Sequence, residues 1–211
     1  MASAAGGLTV YIVDDGSVPA ISPEDLPAAT AEFWIVLSRH PINLGQGAAL
    51  ETARRIALQN QHDVFVTMDS DGQHDAADLP RLLDAIDSGA DVALGNRFAG
   101  NSNVPASRRL ILSLARCFEF AVTGLWLADA HNGFRAFNRK AMAAMEMRQA
   151  RMAHATEIKQ IIARLRDQLK IVEVPVSITY SAHSLAKGQS SLGAINILRD
   201  MTFRYLFGRD T

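Results

Sequence analysis

The residues best suited to do chemistry stand in Asp63–Asp78, DVFVTMDSDGQHDAAD. Asp69 and Asp71 are two residues apart, and Gln73 follows at the same interval. Side chains at i and i+2 leave an extended chain on one side. Both carboxylates would therefore emerge together where the apolar run Val64–Met68 ends. Two carboxylates and an amide oxygen form a hard, oxygen-only donor set, which suits Mg2+ or Mn2+ carrying phosphates and not Zn2+. A solvated acidic turn has the same letters, and a bare D-x-D arises by chance about once in a chain of this size. The strand before it and Gln73 within reach lift this one above that background. Asp75 reads as the N-cap of the helix that follows, through Leu79, Leu82, Leu83 and Ile86. The histidines, at 40, 62, 74, 131, 154 and 183, show no zinc spacing. His74 lies beside the acidic loop as a supporting group, not a ligand.

The elements that must position these residues can be read in order. Leu8–Val13 is β-rich and ends in the turn Asp14-Asp15-Gly16-Ser17. Ser22 with Pro23 reads as a helix start. Phe33–Leu37 is a second buried strand, and Asn43–Gly47 is a glycine turn opening an amphipathic helix, Ala48–Gln59. The acidic strand and its helix follow, then Ala90–Leu94, ending in Gly95-Asn96-Arg97-Phe98. This alternation predicts an α/β fold with a mainly parallel sheet flanked by helices, its polar loops gathered along one edge. The second half differs. Leu110–Leu127 reads as a long apolar helix, followed by the polar loop Asp129–Arg135, a helix near Lys140–Met147 and another over Ile158–Gln168. Ile171–Tyr180 is extended, and Pro175 makes it an edge or broken strand. Lys187-Gly188-Gln189-Ser190 is a basic turn, and Leu192–Phe207 is an apolar helix studded with arginines.

The 211 residues suit a single domain, with a nucleotide- and metal-binding half over 8–100 and an acceptor half over 101–211. A hydrophobic fraction of 48% supports a proper core, and a net charge of −1 argues against nucleic-acid binding. The lone Cys117 cannot form an intramolecular disulfide and reads as a small core residue. The N-terminus lacks the pattern of a signal peptide. The apolar stretch Leu110–Ala128 contains Arg116 and Glu119, so lying on a membrane or in a groove is expected over spanning.

Eight blocks, IVDDGS, NLGQGAALETA, MDSDGQHDAADLPRLLDAI, ALGNRF, DAHNGFRAFNRKA, HATEI, EVPVSITY and KGQSSLG, resemble in order the family 2, GT-A-type glycosyltransferases, nearest the dolichyl- or polyprenyl-phosphate sugar synthases. The resemblance implies an inverting, metal-dependent transfer from a UDP- or GDP-sugar. It assigns Asp15, with Asp14, to the nucleoside, and Asp69, Asp71 and Gln73 to the metal. Arg97, Arg135 and Lys187 would complement donor or acceptor phosphates, the arginines as bidentate forks and the lysine as a point charge. A polyprenyl-phosphate acceptor is already anionic and needs positioning, not a base. A glycan hydroxyl, the alternative acceptor in cell-wall or surface-polysaccharide assembly, needs one, and Asp129 or Glu157 would serve. The terminal basic helix fits docking at the inner face of a membrane from the cytoplasm, or a homodimer surface. The family opens with a strand ending in a Pro-x-Tyr-Asn-Glu-like loop. Here only a few residues precede Leu8, so the expected sheet lacks a central strand, and a non-catalytic nucleotide-sugar-binding role stands as a further alternative.

Overall fold

The structure, a computed structural model, describes residues 7–30, 33–100, 106–129, 132–150 and 154–179. Strands β1 (Leu8–Asp14) and β2 (Phe33–Arg39) pair in parallel, Leu8 opposite Phe33 and Asp14 opposite Arg39. A second sheet holds β3 (Val64–Thr67), β4 (Val92–Asn96), β5 (Arg135–Asn138) and β6 (Ile171–Pro175) in the order β3-β5-β4-β6. β5 is antiparallel to both neighbours, while β4 and β6 are parallel. Three of these four strands therefore share a direction, and β5 is the reversed one. Pro175 ends β6 at the sheet's edge, where its missing N–H interrupts no interior ladder.

Among the described residues no ladder joins the two sheets. They meet across helix α1 (Gln46–Gln59), which packs on both β1 and β3, and through Tyr11, whose hydroxyl lies 2.7 Å from His62 Nε2.

The larger sheet is the middle of three layers. On one face Val92, Leu94, Phe65 and Phe137 pack against α1, α4 (Arg139–Ala144) and α5 (His154–Arg164), through Ala53, Ala57, Met142, Ile158 and Ile162. On the other, Ala93, Ala136 and Val174 meet Leu82 and Ile86 of α2 (Leu79–Asp87). Val92 and Ala93 face opposite layers because strand side chains alternate. Burial of apolar surface in these two clusters, at roughly 25 cal/mol per Å2 removed from water, holds the layers together.

Several expectations are corrected. Pro23–Asp25 makes a single 3-10 turn in place of a helix, closed by the Ser22 N–H donating to Asp25 Oδ2 at 2.9 Å. β3 stops at Thr67, leaving Met68 half exposed. α3 runs over Ala106–Thr123 and ends where Gly124, at φ +69°, bonds back to the Phe120 carbonyl at 2.8 Å. Cys117 is exposed on α3, not in the core. Its apolar neighbours in sequence do not place it inside, because only one stripe of a surface helix faces the body. No helix among the described residues is long and apolar enough to cross a membrane. Lys187 and Leu192–Phe207 lie outside the described residues.

Candidate functional site

The site is assembled from strand ends. β1 delivers Asp14 and Asp15, and β3 delivers Asp69 and Asp71. Asp14, 2% exposed, is turned into its own loop, where its carboxylate accepts from the Ser17 N–H at 2.9 Å and the Ile21 N–H at 3.3 Å. The hydrogen bonds from Ser17 hold its carboxyl below the usual range. Asp15 reaches across to the glycine turn. It accepts from Leu44 N at 2.9 Å and Gly45 N at 2.6 Å, and lies 2.7 Å from His40 Nδ1. Burial opposes ionisation at Asp15, but these bonds outweigh it and keep its carboxyl low. Gly45 holds φ +106° at the N-cap of α1, a conformation that favours glycine. The next residue, Gln46, donates its Nε2 to Asp69 Oδ1 at 3.1 Å. A continuous path thus links Asp15, the turn and Asp69.

Asp69 is half-buried, with His74 Nε2 at 3.4 Å from its Oδ2. The His74 contact is the main cause that holds its carboxyl below the ordinary range, with Arg135 assisting. The loop before β5 closes over it. Thr67 Oγ1 donates to the Gly133 carbonyl at 2.8 Å, and a Cβ at position 133 would overlap the Asp69 carboxylate. Asp71 is exposed and accepts from the Gln73 N–H at 3.0 Å and Gln73 Nε2 at 2.6 Å. The amide nitrogen of Gln73, not its oxygen, faces Asp71, so all three could join one cation only after the amide turned over. No cluster of three or more His, Cys, Asp or Glu forms a metal cage among the described residues. The donor set still fits a hard cation of the Mg2+ or Mn2+ kind. Such ions are commonly held by one or two carboxylates, with water and ligand phosphate completing the shell.

Arg97 and Asp129, 7% and 4% exposed, are brought together. Asp129 Oδ2 accepts from Arg97 Nε at 2.6 Å, Arg97 N at 3.0 Å and Asn132 Nδ2 at 3.1 Å. Glu173 fixes the same loop by accepting the Ala128 and Asp129 N–H groups. Arg135, buried opposite Thr67 in the ladder, has its pKa pulled down by burial against the opposing charges of Asp69 and Asp129. Glu157 is engaged elsewhere: its oxygens accept the N–H groups of Arg148 and Gln149 at 2.8–3.0 Å. That use makes it a brace for the loop after α4.

One feature escapes a reading of the sequence. A cavity of about 250 Å3 is lined by Phe98, Arg109, Ser113, Arg116 and Ala128. It adjoins the Arg97 and Asp129 backbone positions. Arg109, Ser113 and Arg116 follow a helical spacing of four and three, so they share one face of α3. That spacing is visible in the chain, but among apolar residues two arginines pass for solvated charges. Arg116 also lies 4.6 Å above the Trp126 ring, and its Nε is buried without a hydrogen-bond partner among the described residues.

A layered α/β body with acidic residues at its strand ends is the arrangement of GT-A glycosyltransferases. In overall shape the chain is similar to glucosyl-3-phosphoglycerate synthase of Mycobacterium tuberculosis, solved with Mn2+ and UDP-glucose, at a TM-score of 0.57, 15% identity and 97% and 79% coverage of the two chains. The chain belongs to glycosyl transferase family 2, whose model matches residues 4–145. It is 29% identical over 188 residues to polyprenol monophosphomannose synthase of Mycolicibacterium smegmatis, covering 86% of this chain and 71% of that one. It is 30% identical over 191 residues to undecaprenyl-phosphate mannosyltransferase of Micrococcus luteus, covering 88% and 77%. The protein is a glycosyltransferase.

Proposed function

We propose that this chain transfers a sugar from a nucleoside-diphosphate donor to the phosphate of a polyprenyl lipid, with inversion at the anomeric carbon. The observation that carries the acceptor is the cavity of Arg109, Ser113 and Arg116. It offers two guanidinium groups to a phosphate, while the Ser113 hydroxyl donates to the Arg109 carbonyl at 2.9 Å and Phe98 and Ala128 supply apolar wall. The same helix exposes Leu114 and Phe120, and Trp126 follows it, so a lipid chain could leave along an apolar surface. The names of the two relatives, each acting on a polyprenyl-type phosphate, support the same class of acceptor.

On the donor side Asp69 and Asp71 would hold the divalent cation, with Gln73 beside them. When bound, that cation offsets the negative charge gained by the departing diphosphate. Asp15 and Gln46 keep the α1 entrance and Asp69 in fixed relation. Arg135, which feels the charges of both Asp69 and Asp129, would add a cation where donor and acceptor charges approach. Arg97 aligns Asp129 and through it the wall of the acceptor cavity. A lipid phosphate attacks as an anion, so no general base is required. The engagement of Glu157 by backbone N–H groups agrees with that. Lys187 is assigned to a phosphate by the resemblance alone.

Calorimetric titration of UDP and GDP, with and without Mn2+, tests the donor half. Metal-dependent binding of one nucleotide is expected, and Asp71→Ala should abolish the metal dependence. A folded wild type that binds neither nucleotide would refute the reading. For the acceptor half, transfer to a glycan but not to a polyprenyl phosphate would do so.

A further inference from the structure

The helix that carries the anion cavity is tied to the body by a buried charge pair. Glu119 of α3 and Lys159 of α5, 2% and 3% exposed, form an ion pair across the contact between the two helices. Beyond each other, neither the Glu119 oxygens nor Lys159 Nζ has a hydrogen-bond partner among the described residues. Burial pushes the Lys159 ammonium down to about 8, with Arg135 acting the same way and Glu119 and Asp129 opposing. A pair of apolar side chains of equal volume would hold two helices together at least as firmly. What opposite charges add is a defined register, because one partner displaced leaves the other buried and uncompensated. Glu119 stands three residues beyond Arg116, six beyond Ser113 and ten beyond Arg109, so its inward face adjoins their shared face. Rotating or sliding α3 would move all three together.

We propose that Lys159, acting through Glu119, is a positioning residue for the anion cavity: the pair fixes the rotation and height of α3 on α5, and hence where Arg109, Ser113 and Arg116 stand. This rests on the acceptor reading above. The test titrates farnesyl phosphate in detergent, and separately the nucleotide that wild type binds with Mn2+, into wild type, Lys159→Met, Glu119→Gln and Glu119→Asp. Losing one hydrogen bond to a charged group costs roughly ten- to hundred-fold in affinity. Farnesyl phosphate affinity should fall by that factor in all three variants while nucleotide affinity stays at the wild-type value. Glu119→Asp is the sharper variant, since it keeps the charge and shortens the tether by one methylene. A pair that only stabilises would leave the affinity of that folded variant unchanged, and this result would overturn the inference. Equal loss of both ligands, which signals general loosening, would overturn it too. If Lys159→Met does not fold, the two Glu119 variants carry the measurement. Wild type that fails to bind farnesyl phosphate would remove the acceptor reading and this inference with it, a result distinct from binding that the variants leave intact.

Discussion

Asp15 illustrates how a residue at the site divides its work. The resemblance assigns it to the nucleoside, yet both its oxygens are engaged inside the protein, by His40, Leu44 and Gly45. Hydrogen bonds to a charged acceptor contribute about 1.5–3 kcal/mol, and stranding buried donors adds to the loss. Asp15→Ala should therefore lower the unfolding free energy by roughly 2–3 kcal/mol in urea denaturation at pH 7. The sign with pH follows from its depressed folded pKa. The contribution is fully present above the unfolded value, near 3.9, and is lost as pH falls through the lower folded value. The difference between wild type and variant should close only as pH falls below about 4. At this scale the sequence is partly legible. Acidic letters at a strand end announce Asp15 and Asp69, but nothing in the letters says that Asp15 holds the turn from which Gln46 reaches Asp69. That bond joins residues 23 apart in the chain and depends on where α1 starts.

Among the elements, β1 to β4 and α1 and α2 are legible because runs of branched apolar residues and helical stripes mark them locally. β5 is not. Its four residues, Arg135–Asn138, alternate too briefly to signal a strand, and only the ladders on both sides make them one. Missing β5 hides the loop ahead of it, in which Gly133 lies against Asp69. Gly133→Ala would insert a methyl group where the carboxylate stands. The end of β3 is held by its ladder to β5, so Asp69 must turn aside. Supporting residues that orient metal ligands are worth about 10–100-fold in affinity. Mn2+-dependent nucleotide binding should fall by such a factor, with the circular dichroism spectrum unchanged. Retention of wild-type affinity would mean that the Asp69 carboxylate can bind the cation from a second rotamer. The proposed anion face of α3 is illegible for a different reason: its letters are plain, but their value depends on how the segments on either side of the helix fold back to add Phe98 and Ala128 to the cavity wall.

For the molecule as a whole, the decisive feature is that its strands form two sheets. β4 is buried along its full length and lies between two paired neighbours. Among the described residues β1 and β2 pair only with each other, with Leu8 51%, Val10 36% and Trp34 59% exposed. Two strands alone make a marginal ladder, whereas three or more with a covered face are independently stable. Stability should therefore be uneven, and local opening free energies in proteins span from near zero to the global value. In hydrogen exchange followed by mass spectrometry, amides of Val92–Asn96 and Arg135–Asn138 should be the most protected. Those of Leu8–Asp14 and Phe33–Arg39 should exchange on the order of 100-fold faster, a difference of about 2.7 kcal/mol. The proposed donor site bridges the sheets, because Asp15 follows a strand of the smaller and Asp69 a strand of the larger, joined through Gly45 and Gln46. A ligand that binds only the closed arrangement stabilises it by RT ln(1 + [L]/Kd). Adding nucleotide and Mn2+ at about 100 times Kd should thus slow exchange in β1 and β2 by up to about 100-fold and bring them near the larger sheet. Protection equal in both sheets before ligand is added would mean that α1 and the Tyr11–His62 contact already make them one cooperative unit.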